Sequence, residues 1–89
     1  MLEQVKNALR VKAEAFDDEI NGLIAACLAD LRLVGIQVQE DSDPLIIRAV
    51  ILYAKANFGY FEDSEKYREA YSYLRGSLSL AGDYNAAVD

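Results

Sequence analysis

From Leu45 to Phe58 the chain carries apolar side chains almost all the way round a helix, interrupted only by Arg48, Lys55 and Asn57. A helix without a polar face has to be wrapped by neighbours to leave water. This segment therefore dictates an architecture in which the other elements pack around it. Its boundaries are sharp. Asp43 suits the N-cap, Pro44 suits the first helical position, where a missing N–H is harmless, and Gly59 suits the stop. With 89 residues in all, the wrapping must come from a few short elements of one domain.

The rest of the sequence supplies them as helices. Ile20, Leu23, Ile24, Cys27, Leu28 and Leu31 follow the three- and four-residue rhythm of one helix face. Asp17, Asp18 and Glu19 stand at the positive end of that helix, and Arg32 and Gly35 suit its other end. Gly22 in its second turn costs about 1 kcal/mol relative to alanine unless a neighbour needs a close approach. A shorter helix is read over Leu2, Val5, Ala8 and Leu9, in a segment that also holds Lys6 and Arg10. Glu62, Asp63, Ser64 and Glu65 open a last helix with the apolar stripe Tyr67, Ala70, Tyr71, Leu74 and Leu78, expected to run through Gly76 to about Leu80. Ile36 to Ser42 alternates as a short extended connection, with no evident partner strand. The expected fold is all-α: a small bundle of four main helices over residues 1–82, the apolar third helix at its centre, and a mobile C-terminal tail over residues 83–89.

Composition excludes more than it proposes. Fifteen Asp and Glu against nine Lys and Arg give a formal charge of −6, which opposes the counterion release that nucleic-acid binders exploit. No histidine is present, so the side chain best suited to proton transfer and zinc ligation near neutral pH is missing. The single cysteine, Cys27, allows no internal disulfide, and the N-terminus lacks a secretory pattern. The chain is accordingly expected in the cytoplasm. Uninterrupted apolar runs such as Ala49 to Ala54 are far below the roughly 20 residues of a membrane span.

Each candidate constellation has a plain structural reading. The acidic clusters Asp17–Asp18–Glu19 and Glu40–Asp41–Asp43 lack the alternating oxygen ligands and central glycine of a calcium loop. Both stand before helices, where capping accounts for them. Cys27 lies on an apolar face with no base to activate it. No phosphate loop, dinucleotide fingerprint or nucleophile elbow is present, and no helix has the Arg, Lys, Asn and Gln content of a DNA-reading helix. Neither catalytic residues nor a metal or cofactor site is expected.

The six tyrosines do call for a reason, since tyrosine suits the border of a core and the centre of an interface. For Tyr67 and Tyr71 the core is the better reading. For Tyr60, Phe61 and Tyr73 core and interface stand level. Arg48 and Lys55 break an apolar helix, so they either reach the surface along their aliphatic stems or pair with carboxylates.

The order of these features resembles a known family. Phe16-Asp17-Asp18-Glu19-Ile20, Leu23-Ile24-Ala25-Ala26 and Asp30-Leu31 before Gly35-Ile36 resemble the first half of the head-tail connector (adaptor) family of long-tailed bacteriophages and prophages. Asp43-Pro44-Leu45-Ile46, then Ala49, Val50, Tyr53 and Phe58-Gly59, then Tyr67, Tyr71, Leu74 and Ser77-Leu78-Ser79-Leu80, are similar to its second half. The resemblance implies a structural virion protein at the head-tail junction, assembled in the bacterial host cytoplasm, with no enzymatic activity. It implies a homo-oligomeric ring of about twelve copies beneath the portal protein, with head-to-tail contacts between two different faces. The ring would prolong the DNA channel, let DNA pass through without specific binding and dock a downstream connector or tail-completion protein. Carried onto this sequence, the candidate subunit interface is Arg48, Lys55, Tyr60, Phe61, Arg68, Tyr73 and Arg75. Its arginines and lysine are expected to meet Asp30, Glu62, Asp63 or Glu69 of a neighbouring copy. Tyr84 and Val88 are the candidate portal-docking anchors. The rival reading is a small monomeric or dimeric helical regulator that binds one protein through the Tyr60-Phe61 region.

Overall fold

The computed structural model describes residues 1–37, 43–59, 62–82 and 84. Among the described residues four helices follow in chain order: α1 (Leu2–Leu9), α2 (Asp17–Leu33), α3 (Pro44–Asn57) and α4 (Ser64–Leu80), with one 3-10 turn (Glu14–Phe16) leading into α2. The fold is all-α, as the periodicities require.

The centre is α3. It packs on α1, α2 and α4, whereas α1 and α2 pack on each other and α4 packs chiefly on α3. Ile46, Ala49, Val50 and Ala54 are fully buried, and the polar interruptions fall where water or a ring can reach them. Arg48 is exposed and Lys55 half-buried. Asp43 caps α3 as its sequence indicates: Oδ1 accepts from the N–H groups of Leu45 (2.9 Å) and Ile46 (3.4 Å). Gly59 follows the helix at φ 61°, a conformation open to glycine at little cost.

From α2, Ile20, Ile24, Cys27 and Leu31 enter the core, and from α4 Tyr71 and Leu78 do. Phe16 meets Phe58 edge to face with ring centroids 5.6 Å apart, closing the end of the bundle where α2 begins and α3 ends. Helix α4 runs unbroken through Gly76 to Leu80. At Gly22 and Gly76 an added Cβ would meet no atom within 4 Å, so neither glycine marks a close helix contact within the chain.

Three expectations change. The acidic residues Asp17, Asp18 and Glu19 do lie in the first turn of α2, but no side chain caps that helix. Asp17 instead forms an ion pair with Lys6 (2.6 Å), tying the start of α2 to α1. Asp63 likewise precedes α4 without a side-chain capping bond. Finally, the extended residues after α2 do have a partner, because the Gln37 N–H donates to the Tyr84 carbonyl at 2.7 Å. This bond ties Tyr84 to the segment that follows α2. Val38 to Ser42 and the remaining tail positions lie outside the described residues.

Candidate interaction surfaces

The candidate interface residues separate into those already engaged within the chain and those left open. Arg75 belongs to the first group. Its Nη1 donates to both oxygens of Asp30 on α2, at 3.0 and 3.1 Å. The Tyr71 hydroxyl donates to the same carboxylate at 2.6 Å, and the Cys27 thiol lies behind it, 3.7 Å from the Tyr71 oxygen. Tyr53 packs edge to face on Tyr71, centroids 5.2 Å apart. Cys27, Asp30, Tyr71 and Arg75 form one polar clasp between α2 and α4, two helices that otherwise meet mainly through α3.

This setting perturbs the groups in it. Burial pushes the Cys27 thiol up to about 11, with the hydrogen bond to Tyr71 acting against it and the charge of Asp30 with it. The Tyr71 phenol is raised by burial first and by its hydrogen bond to Asp30 second, because a phenolate can neither donate that bond nor sit beside a carboxylate. Cys27 is therefore a buried, protonated thiol.

Arg68 pairs with Glu65 one turn back on α4 and reaches toward the Ala56 carbonyl at 3.5 Å. Lys55 places its ammonium 5.1 Å from the centroid of the Tyr67 ring. The Asp30 carboxylate that the sequence reading assigned to a neighbouring copy is thus met by Arg75 of its own chain, and Lys55 and Arg68 also have partners in the same fold. The Arg75–Asp30 pair and the Lys55–Tyr67 contact join different helices, a proximity with no trace in residue spacing, whereas the Arg68–Glu65 pair is an i, i+3 contact within α4. Arg48 is exposed. Tyr60, Phe61 and Val88 lie outside the described residues. Tyr84 donates its hydroxyl to both oxygens of Asp43, at 2.9 and 3.2 Å, so this candidate portal anchor is fastened to the N-cap of α3.

What remains open is a stripe on α4. Tyr67, Tyr71, Leu74 and Leu78 face α3, and Glu69, Tyr73, Gly76 and Leu80 repeat at four-, three- and four-residue steps on the opposite side. Tyr73 is 80% exposed and Leu80 86%, so neither serves the core of its own chain. Gly76 between them leaves the helix backbone bare. Sequence reasoning singled out Tyr73 because it is off the buried stripe, but missed that it belongs to a second stripe with the same period. Further exposed apolar groups, Leu33 and Leu45, stand at the end of α2 and the start of α3.

A second feature went unread. At the C-terminal end of α1 a cleft of about 380 Å³ is lined by Lys6, Asn7, Arg10, Val11 and Lys12. Arg10 ends the helix in the left-handed conformation, φ 60°, its N–H satisfied by the Asn7 carbonyl. Lys6 is buried, and its ammonium is held above the usual lysine value, first by the hydrogen bond to Asp17 and also by the charges of Asp17, Glu3 and Glu14, with burial opposing them. Arg10 and Lys12 are exposed. The signal available in the sequence was the triplet of cations at steps of four and two in an acidic chain.

Among the described residues no helix is long and apolar enough to cross a membrane. A family profile described as phage connector protein matches residues 1–85 of the chain. No curated protein and no solved structure matches.

Proposed function

The chain belongs to the phage connector protein family, and from that premise we propose that it is a structural subunit of the head-tail junction that works as a ring of about twelve copies. In this reading the ring sits beneath the portal protein, prolongs the channel through which DNA passes, and offers its far side to a downstream connector or tail-completion protein. Its place is the virion, after assembly in the host cytoplasm.

The family match over nearly the whole chain carries the proposal. The surface supports it independently. The outward stripe presents Tyr73 and Leu80 to water, and tyrosine is among the residues enriched at the centres of interfaces. Lys55, Arg68 and Arg75 act from inside the monomer in this reading. They hold α4 against α2 and α3 so that its outward side is presented as a rigid rail. Tyr84, clasped to Asp43, and Val88 remain the proposed contact with the portal.

Native mass across a wide concentration range tests this, with the protein alone and with the portal protein of the same phage. A closed species near twelve copies, or saturable binding to the portal at that ratio, is expected. A protein that remains a monomer or dimer and ignores the portal would instead be the small regulator, and the connector role would be lost.

A further inference from the structure

The two open features described above sit on different flanks of the molecule. The cleft belongs to α1, which packs on α2 and α3; the stripe belongs to α4, which packs chiefly on α3. Head-to-tail assembly needs two unlike surfaces on one chain that fit each other, placed so that neither blocks the other. The cleft and the stripe meet that requirement.

Their chemistry is complementary as well. Lys6 is answered by Asp17, which leaves Arg10 and Lys12 as exposed cations with no ion pair among the described residues. Between them Val11 is half-buried and offers an apolar floor. On α4, Glu69 and Tyr73 are four residues apart, hence neighbours on one helix face, and both are exposed with no ion pair or hydrogen bond among the described residues. A carboxylate beside an aromatic ring is the shape and charge that two cations around an apolar floor receive: the carboxylate meets the cations, and the ring lies on Val11 with an edge or face toward the guanidinium.

Several of the other acidic groups are already engaged within the chain or lie beside the cleft itself. Glu65 is engaged with Arg68, Asp30 with Arg75, and Asp17 with Lys6 on the cleft's own flank. Glu3 and Glu14 also lie on that flank, close enough to raise Lys6.

We propose that the subunit contact of this protein seats Glu69 and Tyr73 of one copy in the α1 cleft of the next, with Arg10 and Lys12 as the receiving cations. The proposal rests on the ring reading given above and names the surfaces that would close the ring.

The test is charge reversal read by native mass against concentration. Glu69→Lys raises the concentration at half assembly by about tenfold or more, the order of one well-placed charge contact. Arg10→Glu with Lys12→Glu does the same. All three substitutions in one chain restore opposite charges across the contact and return the midpoint to within about threefold of the parent. Tyr73→Ala weakens assembly while Tyr73→Phe keeps it. All four positions are exposed, and helicity by circular dichroism checks that each variant is folded. If the parent assembles and folded single-sided reversals assemble equally well, the pairing is wrong and the ring reading stands. If the parent assembles with neither itself nor the portal, both fail.

Discussion

At the residue scale the clasp of Cys27, Asp30, Tyr71 and Arg75 shows how chemistry that looks reactive is made structural. A thiol raised to about 11 by burial is almost wholly protonated at neutral pH, and only the thiolate attacks. Cys27 in the folded protein should leave an aromatic disulfide reagent unreacted at pH 8, and react at once in denaturant; quick reaction of the folded protein would mean that the clasp opens readily. Tyr71 carries a pH consequence whose sign is fixed by the direction of its shift. Its phenol is raised above the ordinary value of 10 in the folded state, so its contribution is fully present below about pH 10 and is lost as pH rises from there toward the folded value, because only the unfolded chain ionises. Thermal melts between pH 9 and 11.5 should therefore fall more steeply for the parent than for Tyr71→Phe. At pH 7 that variant should be less stable by about 1–2 kcal/mol, the worth of a partly buried hydrogen bond to a charged group. None of these contacts was legible in the sequence, because Asp30 and Tyr71 are 41 positions apart and no local period links them.

At the scale of elements the sequence was far more informative, and the reason is local chemistry. Asp43-Pro44 and Gly59 bound α3 through a cap, a fixed φ and a positive φ, all set by neighbouring atoms. The i, i+3, i+4 patterns placed the buried sides of α2 and α4 for the same reason. The capping expectation failed at α2, where a better partner, Lys6, competes for Asp17. Asp43 does double duty, capping α3 and accepting from Tyr84. Asp43→Ala should cost more than the usual 1 kcal/mol or so of a lost cap, and part of that excess should disappear in a Tyr84→Phe background. A denaturant-based double-mutant cycle measures it, and a coupling of zero would mean that the tyrosine adds nothing to the helix start. The two mid-helix glycines make a matched pair. With open space around each missing Cβ, Gly22→Ala and Gly76→Ala should each stabilise the monomer by about 0.5–1 kcal/mol. Gly76→Ala should in addition raise the concentration needed for assembly, because it covers backbone on the exposed α4 stripe one turn beyond Tyr73, at the edge of the proposed contact. If both glycines are simply tolerated, that second effect will be absent.

At the scale of the whole molecule the distribution of cations decides how a connector subunit behaves toward DNA. The chain carries nine of them against fifteen acids, and the fold engages several in internal contacts: Lys6 with Asp17, Arg68 with Glu65, Arg75 with Asp30, and Lys55 over Tyr67. In the proposed contact Arg10 and Lys12 are covered by the next copy, so assembly removes two exposed cations from solution. A duplex gains affinity by exchanging its condensed counterions for protein cations, and an assembled ring of chains at −6 each offers few cations to exchange and a repulsive field around them. Duplex DNA at about 100 mM salt should therefore migrate unretarded past the assembled protein. The unassembled Glu69→Lys variant, with Arg10 and Lys12 open and one acid replaced by a cation, should bind DNA at least as well as the parent does. Strong, salt-sensitive retardation by assembled parent protein would mean that cations line the proposed channel, and would move Arg10 and Lys12 out of the proposed subunit contact and onto the DNA.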